Sequence, residues 1–564
     1  MKRAISQEDK LTDVELAKVK DIENGAIETK QKYPGFRKNM LDYIQQCTEY
    51  TSIHGFKYMG EQDRSIFEKL WWLILFCISL CICINLIIKT WEKWDTSPVL
   101  VSFVRSPTAV WQIPFPAVTI CPQTKTKQTV YNFTDAFDKY RMQHNLTDLE
   151  WKHFSDSALI CDNHFYYNNG SLTTGLDTID FLMSVAPQFD DVFHSCRWTL
   201  QNKSCSSLFY PILTEDGLCF TFNMLDRSQF LRNKVYLDRK YMHHGKDTED
   251  WTLQEGYKRD AKKDTFPRRA MSAGSSAGLF LELKAYGPDL DYLCRGTVQG
   301  FKVFLHQPAE VPRVSRQYLR APLNQEMVVS IKPDMMTTSG GLKDYNPHRR
   351  QCFFPNERYL SFFQIYTQQN CQVECLTNFT LKMCKCVAYH MPHEESTPIC
   401  GSGSIKCMFD AQTKLLEKEV ESGLSSSTFD ISDDADCDCL PACTSLTYNA
   451  ESTQAEYNWK KTFEATRHNE SEFPGMHFTR LNLFFKRQQF INSERNKLYE
   501  LFSQTNFFAN CGGILGLFTG FSFLSIVEIV HFLSSRLMCN VKMYGRHYWS
   551  GSPKLLNNDA YVHE

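Results

Sequence analysis

Residues 511–533 read CGGILGLFTGFSFLSIVEIVHFL, and this stretch decides the fold class. The run is apolar and long enough to cross a bilayer, which takes about 20 helical residues. A simple anchor would contain Leu, Ile and Val throughout, whereas this run also contains four glycines, two serines and the carboxylate of Glu528. An ionisable group at membrane depth is costly unless it faces protein or water. The run therefore predicts a helix that, with several copies of itself, surrounds an aqueous path.

A second apolar run, residues 71–88, contains no charged residue and is also long enough to span a membrane. A buried core helix is the alternative, but such a helix is rarely apolar on every face. Residues 1–60 are polar and charged, so we expect no signal peptide at this end. Two spans place both termini on one side of the membrane and the long central segment on the other.

Cysteines and glycosylation signals indicate which side is which. Sixteen of the 22 cysteines lie between the two runs, and so do all the Asn-x-Ser/Thr signals. Both features are typical of a segment that faces an oxidising, extracellular compartment. The sequence thus predicts a plasma-membrane protein with cytoplasmic termini. The predicted N-glycosylation sites are Asn132, Asn145, Asn169, Asn202, Asn378 and Asn469.

The central segment has a mixed α/β pattern with strands predicted at residues 117–121, 300–306, 327–331, 446–450 and 481–490, and a helix over much of residues 356–385. Cys371 and Cys375 would share one face of that helix. Cys437 and Cys439 would share one face of a strand. Their spacing along the strand matches the spacing of Cys371 and Cys375 along the helix, so two disulfide rungs could join the helix and the strand in antiparallel order. Zinc is the rival interpretation of this spacing, which an extracellular setting disfavours. The acidic stretch 422–438 predicts a solvated loop, since the ligand spacing of a calcium loop is absent.

Five motifs occur in an order that resembles the degenerin, epithelial sodium channel and acid-sensing channel family, most closely its insect pickpocket branch. They are His54-Gly55, Phe115 to Cys121, the cysteine block from Cys371 to Cys386, Cys437 to Cys443, and Gly516 to Glu528. The resemblance implies a trimer of two-span subunits with a large, disulfide-rich α/β extracellular domain shaped like a hand. It also implies a voltage-insensitive, amiloride-sensitive, sodium-permeable pore without a cofactor or bound metal.

Roles carry over by resemblance to single positions of this chain. Gly520, Phe521 and Ser522 match the selectivity filter, where small residues let three backbones approach and irregular backbone can face water. Close helix packing alone is the simpler interpretation of the glycines, but it leaves Glu528 unexplained. The remaining matches are Ala509, Ser525 and Glu528 in the pore and gate, Gly516 at an amiloride contact, and His54 and Gly55 in a cytosolic gating motif.

The resemblance also implies a disulfide pattern and a division of the chain. The pairs are Cys121–Cys219, Cys196–Cys205, Cys352–Cys443, Cys371–Cys439, Cys375–Cys437, Cys384–Cys407 and Cys386–Cys400, with Cys161 and Cys294 left over as a candidate pair. The predicted segments are a cytoplasmic N-terminus (1–69), a first span (70–89), an extracellular domain (90–506), a second span (507–533) and a cytoplasmic tail (534–564).

Several functions remain open at this point. The leading prediction is a sensory sodium channel subunit, forming a homotrimer or a heterotrimer, with an osmotic, mechanical, salt or pheromone stimulus. Alternatives are a subunit that conducts only in a heteromer and a two-span receptor whose spans only anchor it. The acid-sensing members' paired histidines are missing from residues 94–104, which argues against proton gating. A net charge of −2 does not favour nucleic acid as a partner, and no nucleophile–base pair indicates an enzyme.

Overall fold

The computed structural model describes residues 34–61, 64–96, 99–142, 146–161, 170–236, 240–424, 437–467, 470–497 and 504–560. The chain forms two compact units, Met1–Ser97 together with Leu501–Glu564, and Pro98–Glu500. The boundary between the units lies within a few residues of each end of the predicted extracellular domain.

Helices occur in both units. In chain order they are α1 (Phe36–Tyr50), α2 (Phe56–Gly60), α3 (Ile66–Thr96), α4 (Phe133–Arg141), α5 (Asp148–Ser157), α6 (Leu176–Val185), α7 (Phe189–Val192), α8 (Cys205–Leu208), α9 (Arg227–Phe230), α10 (Pro347–Arg350), α11 (Gln368–Cys384), α12 (Ile405–Leu424), α13 (Trp459–Ala465), α14 (Gln504–Thr519), α15 (Phe523–His531), α16 (Leu537–Tyr544) and α17 (Pro553–Ala560). A π-helical turn, Phe532–Arg536, joins α15 to α16 without a break.

All the described strands lie in the Pro98–Glu500 unit. They are β1 (Val99–Phe103), β2 (Thr108–Ala109), β3 (Ala117–Pro122), β4 (Thr173–Thr174), β5 (Phe193–Trp198), β6 (Gln201–Lys203), β7 (Phe209–Thr214), β8 (Gly217–Phe222), β9 (Trp251–Thr252), β10 (Gly256–Tyr257), β11 (Leu279–Tyr286), β12 (Gly300–His306), β13 (Leu319–Pro322), β14 (Gln325–Thr338), β15 (Ile399–Cys400), β16 (Ser445–Glu456), β17 (Met476–Phe485), β18 (Gln489–Phe490) and β19 (Ser493–Lys497).

Two larger sheets organise this unit. The first has the order β1-β19-β14-β17-β11-β5-β6, with β16 paired to β14, and the second has the order β13-β12-β3-β8-β7. Strand β17 alternates in burial from Thr479 to Phe485, as expected for a strand with one face on a core. Strands β3 and β8 are buried along their whole length. The apolar faces of both sheets contribute to one large core that includes Leu281, Phe301 and Leu481.

Eight disulfides hold the described part of this unit together. Seven of them join the pairs that the resemblance implied, and the eighth joins Cys161 to Cys294, the two cysteines left over as a candidate pair. The free cysteines of the described residues are Cys47, Cys77, Cys81, Cys83, Cys511 and Cys539, all in the other unit. Cys371 and Cys375 lie on a helix as predicted, but the predicted strand is absent: residues 437–439 form no strand, and Asp438 has a φ of +38°.

Within residues 356–385, predicted to be helical for much of their length, the helix is α11, which begins at Gln368. The carboxylate of Glu374 accepts hydrogen bonds from the backbone N–H groups of Ser361, at 2.7 Å, and Phe362, at 2.8 Å. These bonds hold the preceding segment beside the helix. The side chain of Thr367 accepts from Asn370 N at 3.1 Å and thereby starts the helix. The strand predicted over 481–490 ends at Phe485 and resumes only as β18.

Three of the predicted glycosylation sites, Asn132, Asn202 and Asn378, are described and exposed. Asn132 also caps α4, where its side-chain oxygen accepts from Asp135 N at 3.0 Å. Asn145, Asn169 and Asn469 lie outside the described residues, as does most of the acidic stretch, residues 425–436.

Candidate pore site

Two helices of the Met1–Ser97 and Leu501–Glu564 unit are long and apolar enough to cross a membrane. They are Ile66–Glu92 and Phe523–Tyr544, and a shorter apolar helix, Phe508–Thr519, precedes the second. Large apolar side chains along them are exposed in the single chain, for example Trp71 at 62% and Phe523 at 78%. Contiguous exposed apolar surface of this extent is typical of contact with lipid or with other subunits.

The predicted second span, residues 507–533, is interrupted at residues 520–522, between α14 and α15. Gly520 has a φ of +67° and its N–H donates to the carbonyl of Gly516 at 2.9 Å, which closes α14. Glycine is the usual residue at the left-handed position that follows the last helical turn. Ser522 then caps α15, with reciprocal hydrogen bonds between Ser522 and Ser525. The sequence Gly-Phe-Ser thus ends one helix and starts the next.

The segment before the first span lies against this break. The backbone N–H of His54 donates to the carbonyl of Thr519 at 2.9 Å. The His54 ring lies so close to Gly520 that a Cβ there would be 2.7 Å from two ring carbons. Gly55 has a φ of +85° and turns the chain into α2. The predicted gating motif and the predicted filter are therefore in direct contact within one chain.

Glu528 is bound by the same N-terminal segment. Its Oε2 accepts from the Ser52 backbone N–H and from the Ser52 hydroxyl, each at 3.0 Å. The Ser52 hydroxyl is also 2.8 Å from that of Ser525, which is buried. Two hydrogen bonds to one carboxylate oxygen offset part of the cost of taking the charge out of water. These contacts give the carboxylate in the apolar run a local structural role.

The first span also contacts the break. The Ser79 hydroxyl donates to the carbonyl of Phe518 at 2.6 Å. The carbonyls of Phe518 and Thr519 belong to the last turn of α14, where a helix leaves acceptors without an intrahelical partner. Both carbonyls accept hydrogen bonds from the protein, that of Phe518 from Ser79 and that of Thr519 from His54.

The structure thus brings together five of the predicted residues, namely His54, Gly55, Gly520, Ser525 and Glu528, with Ser522 adjoining them. Phe521 lies within the break and is half-buried, whereas Ala509 is exposed on α14. A Cβ on Gly516 would meet only the Phe521 carbonyl, at 3.9 Å.

Ser52 and Ser79 were missed in the sequence. A serine two residues before a His-Gly pair, or within an apolar helix, carries no signal by itself.

Helix α1 packs against the segment that follows the break. Tyr43 donates through its hydroxyl to the carbonyl of Phe532. The Asn39 amide donates to the carbonyl of His547 at 2.9 Å, and its oxygen accepts from the Ser550 hydroxyl at 2.7 Å. The helix does not end at the predicted residue 533, because the π-helical turn and α16 carry it on to Tyr544. No group of three metal-ligating side chains occurs in the part of the chain that the structure describes.

Comparison with known proteins decides the family. A family model described as "Amiloride-sensitive sodium channel" matches residues 47–532. The chain belongs to this family. The match extends from Cys47, seven residues before His54, to Phe532, four residues beyond Glu528, and so includes the whole candidate pore site. The members of this family are ion channels, and the chain is accordingly a sodium channel family subunit.

Individual relatives within the family are distant in sequence. The chain is 28% identical to pickpocket protein 28 of Drosophila melanogaster, over 89% of this chain and 79% of that protein. It is 22% identical to sodium channel protein Nach of the same species, over 87% of both chains. It is 20% identical to acid-sensing ion channel 1 of Gallus gallus, over 86% of this chain and 82% of that protein.

Proposed function

We propose that this protein is a subunit of a voltage-insensitive, amiloride-sensitive, sodium-permeable channel with a sensory role. Three subunits, identical or related, would surround the pore, with both termini of each in the cytoplasm and the Pro98–Glu500 unit outside the cell. The observation that carries this proposal is the break in the second span. The apolar helix is interrupted by a left-handed glycine and a capping serine, and the carboxylate of Glu528 follows six residues after Ser522. This combination suits a pore lining better than an anchor.

The residues divide the work of conduction in this proposal. Gly520, Phe521 and Ser522 form the narrowest part, because small side chains allow three backbones to approach closely. Glu528 places negative charge next to the path and favours cations over anions. Ala509, on the exposed surface of α14, is the gate position, and Gly516 contributes to the amiloride site.

Recording from cells that express the subunit tests the proposal. We expect a sodium current that amiloride blocks, a changed sodium-to-potassium permeability ratio in Ser522→Val, and a constitutive current in Ala509→Val. Ser534→Val is the matched control, because Ser534 is exposed further along the same helix and its hydroxyl donates, among the described residues, to the Val530 carbonyl alone, at 2.6 Å. An unaltered permeability ratio in Ser522→Val would remove Ser522 from the filter.

A silent subunit has two explanations that the same experiment separates. A subunit that conducts only in a heteromer gives current when it is co-expressed with related subunits, and Ser522→Val changes the permeability ratio of that current. A receptor that is merely anchored gives no current in either case. It also tolerates Glu528→Leu without loss of surface expression or ligand response.

A further inference from the structure

A cavity of about 260 Å³ lies in the Pro98–Glu500 unit, away from the candidate pore site. Its wall is formed by the end of α5, the turn between β7 and β8, the segments around Arg295 and Arg313, and the facing sides of α11 and α12. A volume of this size is slightly below the usual range for small-molecule sites, which begins at about 300 Å³. It would accommodate a ligand of roughly ten non-hydrogen atoms, since a water molecule takes about 30 Å³.

The polar side of the cavity has an excess of positive charge. Arg295 and Arg313 line it, and Glu215 is the one carboxylate among its lining residues. Oε1 of Glu215 already accepts a hydrogen bond from Ser315 N, at 2.5 Å. Burial, and then the nearby Arg316, lower the pKa of Arg313, whereas Glu215 and the exposed Glu419 act in the opposite direction. Two arginines and one carboxylate thus line the cavity.

A second group of cations lies directly behind this wall. The buried carboxylate of Asp216 accepts from Arg295 Nη2 at 2.6 Å, from Lys302 Nζ at 2.8 Å and from Lys125 Nζ at 3.5 Å. Burial lowers the pKa of Lys125 to about 8 in spite of the neighbouring carboxylate. The carboxylate of Asp216 is thus the shared partner of three cations in the protein interior, where the dielectric constant is low and unbalanced charge is costly. An anion in the cavity would relieve this imbalance.

The remaining wall offers an imidazole and an apolar surface. His390 lines the cavity, and its Nδ1 is inaccessible to solvent and without a hydrogen-bond partner in the described part of the chain. Leu376, Met408 and Phe409 face the same space. Methionine and phenylalanine accommodate aliphatic or aromatic groups of varied shape. The lining of the cavity is thus partly cationic and partly apolar.

We propose that this cavity binds a small organic carboxylate, with the anionic group on Arg313 and Arg295 and a short apolar tail against Met408 and Phe409. A guanidinium can donate two parallel N–H···O bonds to one carboxylate. Arg295 already donates from Nη2 to Asp216, at 2.6 Å, and from Nη1 to the Ile160 carbonyl, at 3.2 Å, so the geometry assigns the direct contact chiefly to Arg313. The site would give the extracellular unit sensitivity to a dissolved ligand.

Binding of benzoate to the purified full-length protein in lipid nanodiscs tests the proposal. Benzamide is the matched neutral probe, since it has the same shape without the charge. We expect benzoate to raise the unfolding temperature and to bind at least tenfold more tightly than benzamide. Equal binding of the two probes would overturn the proposal, and this comparison requires no variant. The measurement does not depend on conduction, so its failure is distinct from failure of the proposed channel function.

Variants then locate the site. Arg313→Gln should weaken benzoate binding at least tenfold, and Arg313→Lys should weaken it less, because the charge remains while the two parallel N–H···O bonds are lost. Arg316→Gln is the control, because Arg316 lies three residues away, is exposed and does not line the cavity; it should change the dissociation constant less than threefold. Benzoate binding that survives Arg313→Gln, or that Arg316→Gln weakens equally, would place the site elsewhere and refute the assignment.

Discussion

Replacing Gly520 by alanine should disturb the break in the second span for two separate reasons. The backbone at this position has a φ of +67°, and an L-residue in the left-handed region costs about 1–2 kcal/mol. The new Cβ would also lie 2.7 Å from two carbons of the His54 ring and 2.9 Å from its Nδ1. Ordinary carbon contacts lie at about 3.5–4.0 Å, so the ring must move by roughly 0.8 Å or more.

Together the two terms amount to about 2–5 kcal/mol, because forced overpacking adds about 1–3 kcal/mol to the cost of the left-handed backbone. Since each 1.4 kcal/mol is a factor of about ten, the contact between His54 and the break should be disfavoured by roughly 30-fold or more. If that contact holds the filter in its conducting form, Gly520→Ala changes both the sodium current per surface subunit and the reversal potential in mixed sodium and potassium solutions.

The assay is voltage clamp combined with surface biotinylation, in cells where the unsubstituted subunit gives current. Gly513→Ala is the control, because a methyl group there, on the preceding helix α14, would meet nothing else in the described part of the chain within 4 Å beyond its own helix backbone. Combining His54→Ala with Gly520→Ala should restore part of the original sodium current and reversal potential, since alanine at position 54 removes the ring that the new Cβ at position 520 would overlap. If Gly520→Ala behaves like Gly513→Ala at equal surface density, the inferred contact has no functional weight.

Three further predictions concern the Pro98–Glu500 unit and are checked by thermal unfolding of the purified protein. Asp216→Asn should lower the free energy of unfolding by about 3–5 kcal/mol, because it leaves three cations without their shared buried carboxylate; a loss below about 1 kcal/mol would contradict this. Burial raises the pKa of Glu310 to about 7 from its usual 4.5, so stability should fall as pH rises through that interval. Glu310→Gln should abolish this slope and stabilise the protein by about 1–3 kcal/mol at pH 8, whereas an unchanged pH profile would argue against a buried carboxyl. Replacing Cys161 and Cys294 together by serine should cost about 2–5 kcal/mol, since their bond closes a loop with a sequence separation of 133; wild-type stability would exclude a structural role for the bond.

The local parts of the pore site could be predicted from the sequence, and the distant contacts could not. The interruption at residues 520–522 follows from a glycine that can end a helix and a serine that can start one, both signals of short range. The hydrogen bonds from Ser52 to Glu528 join residues 476 positions apart in the sequence. No periodicity or spacing in one chain relates positions so far apart.

The cysteine-rich segment shows a different limit. The pairing of Cys371 with Cys439 was predicted partly from a strand at residues 437–439. The structure has no strand there, because Asp438, between Cys437 and Cys439, takes a positive φ. Helix α11 begins only at Gln368, because Glu374 binds backbone N–H groups of the segment before it. There a tertiary contact overrides the local pattern, and element boundaries are the least predictable feature for this reason.

The bond between Ser52 and Glu528 also sets an order of events during synthesis. At about 5–20 residues per second, a ribosome needs roughly 25 to 95 seconds to add the 476 residues that separate the two partners. Throughout that time Ser52 and the neighbouring His54 have been made while the residues they bind do not yet exist. The break in the second span is therefore completed only near the end of translation. A nascent chain that stalls before residue 519 lacks the partners of both residues, whatever the state of its disulfides.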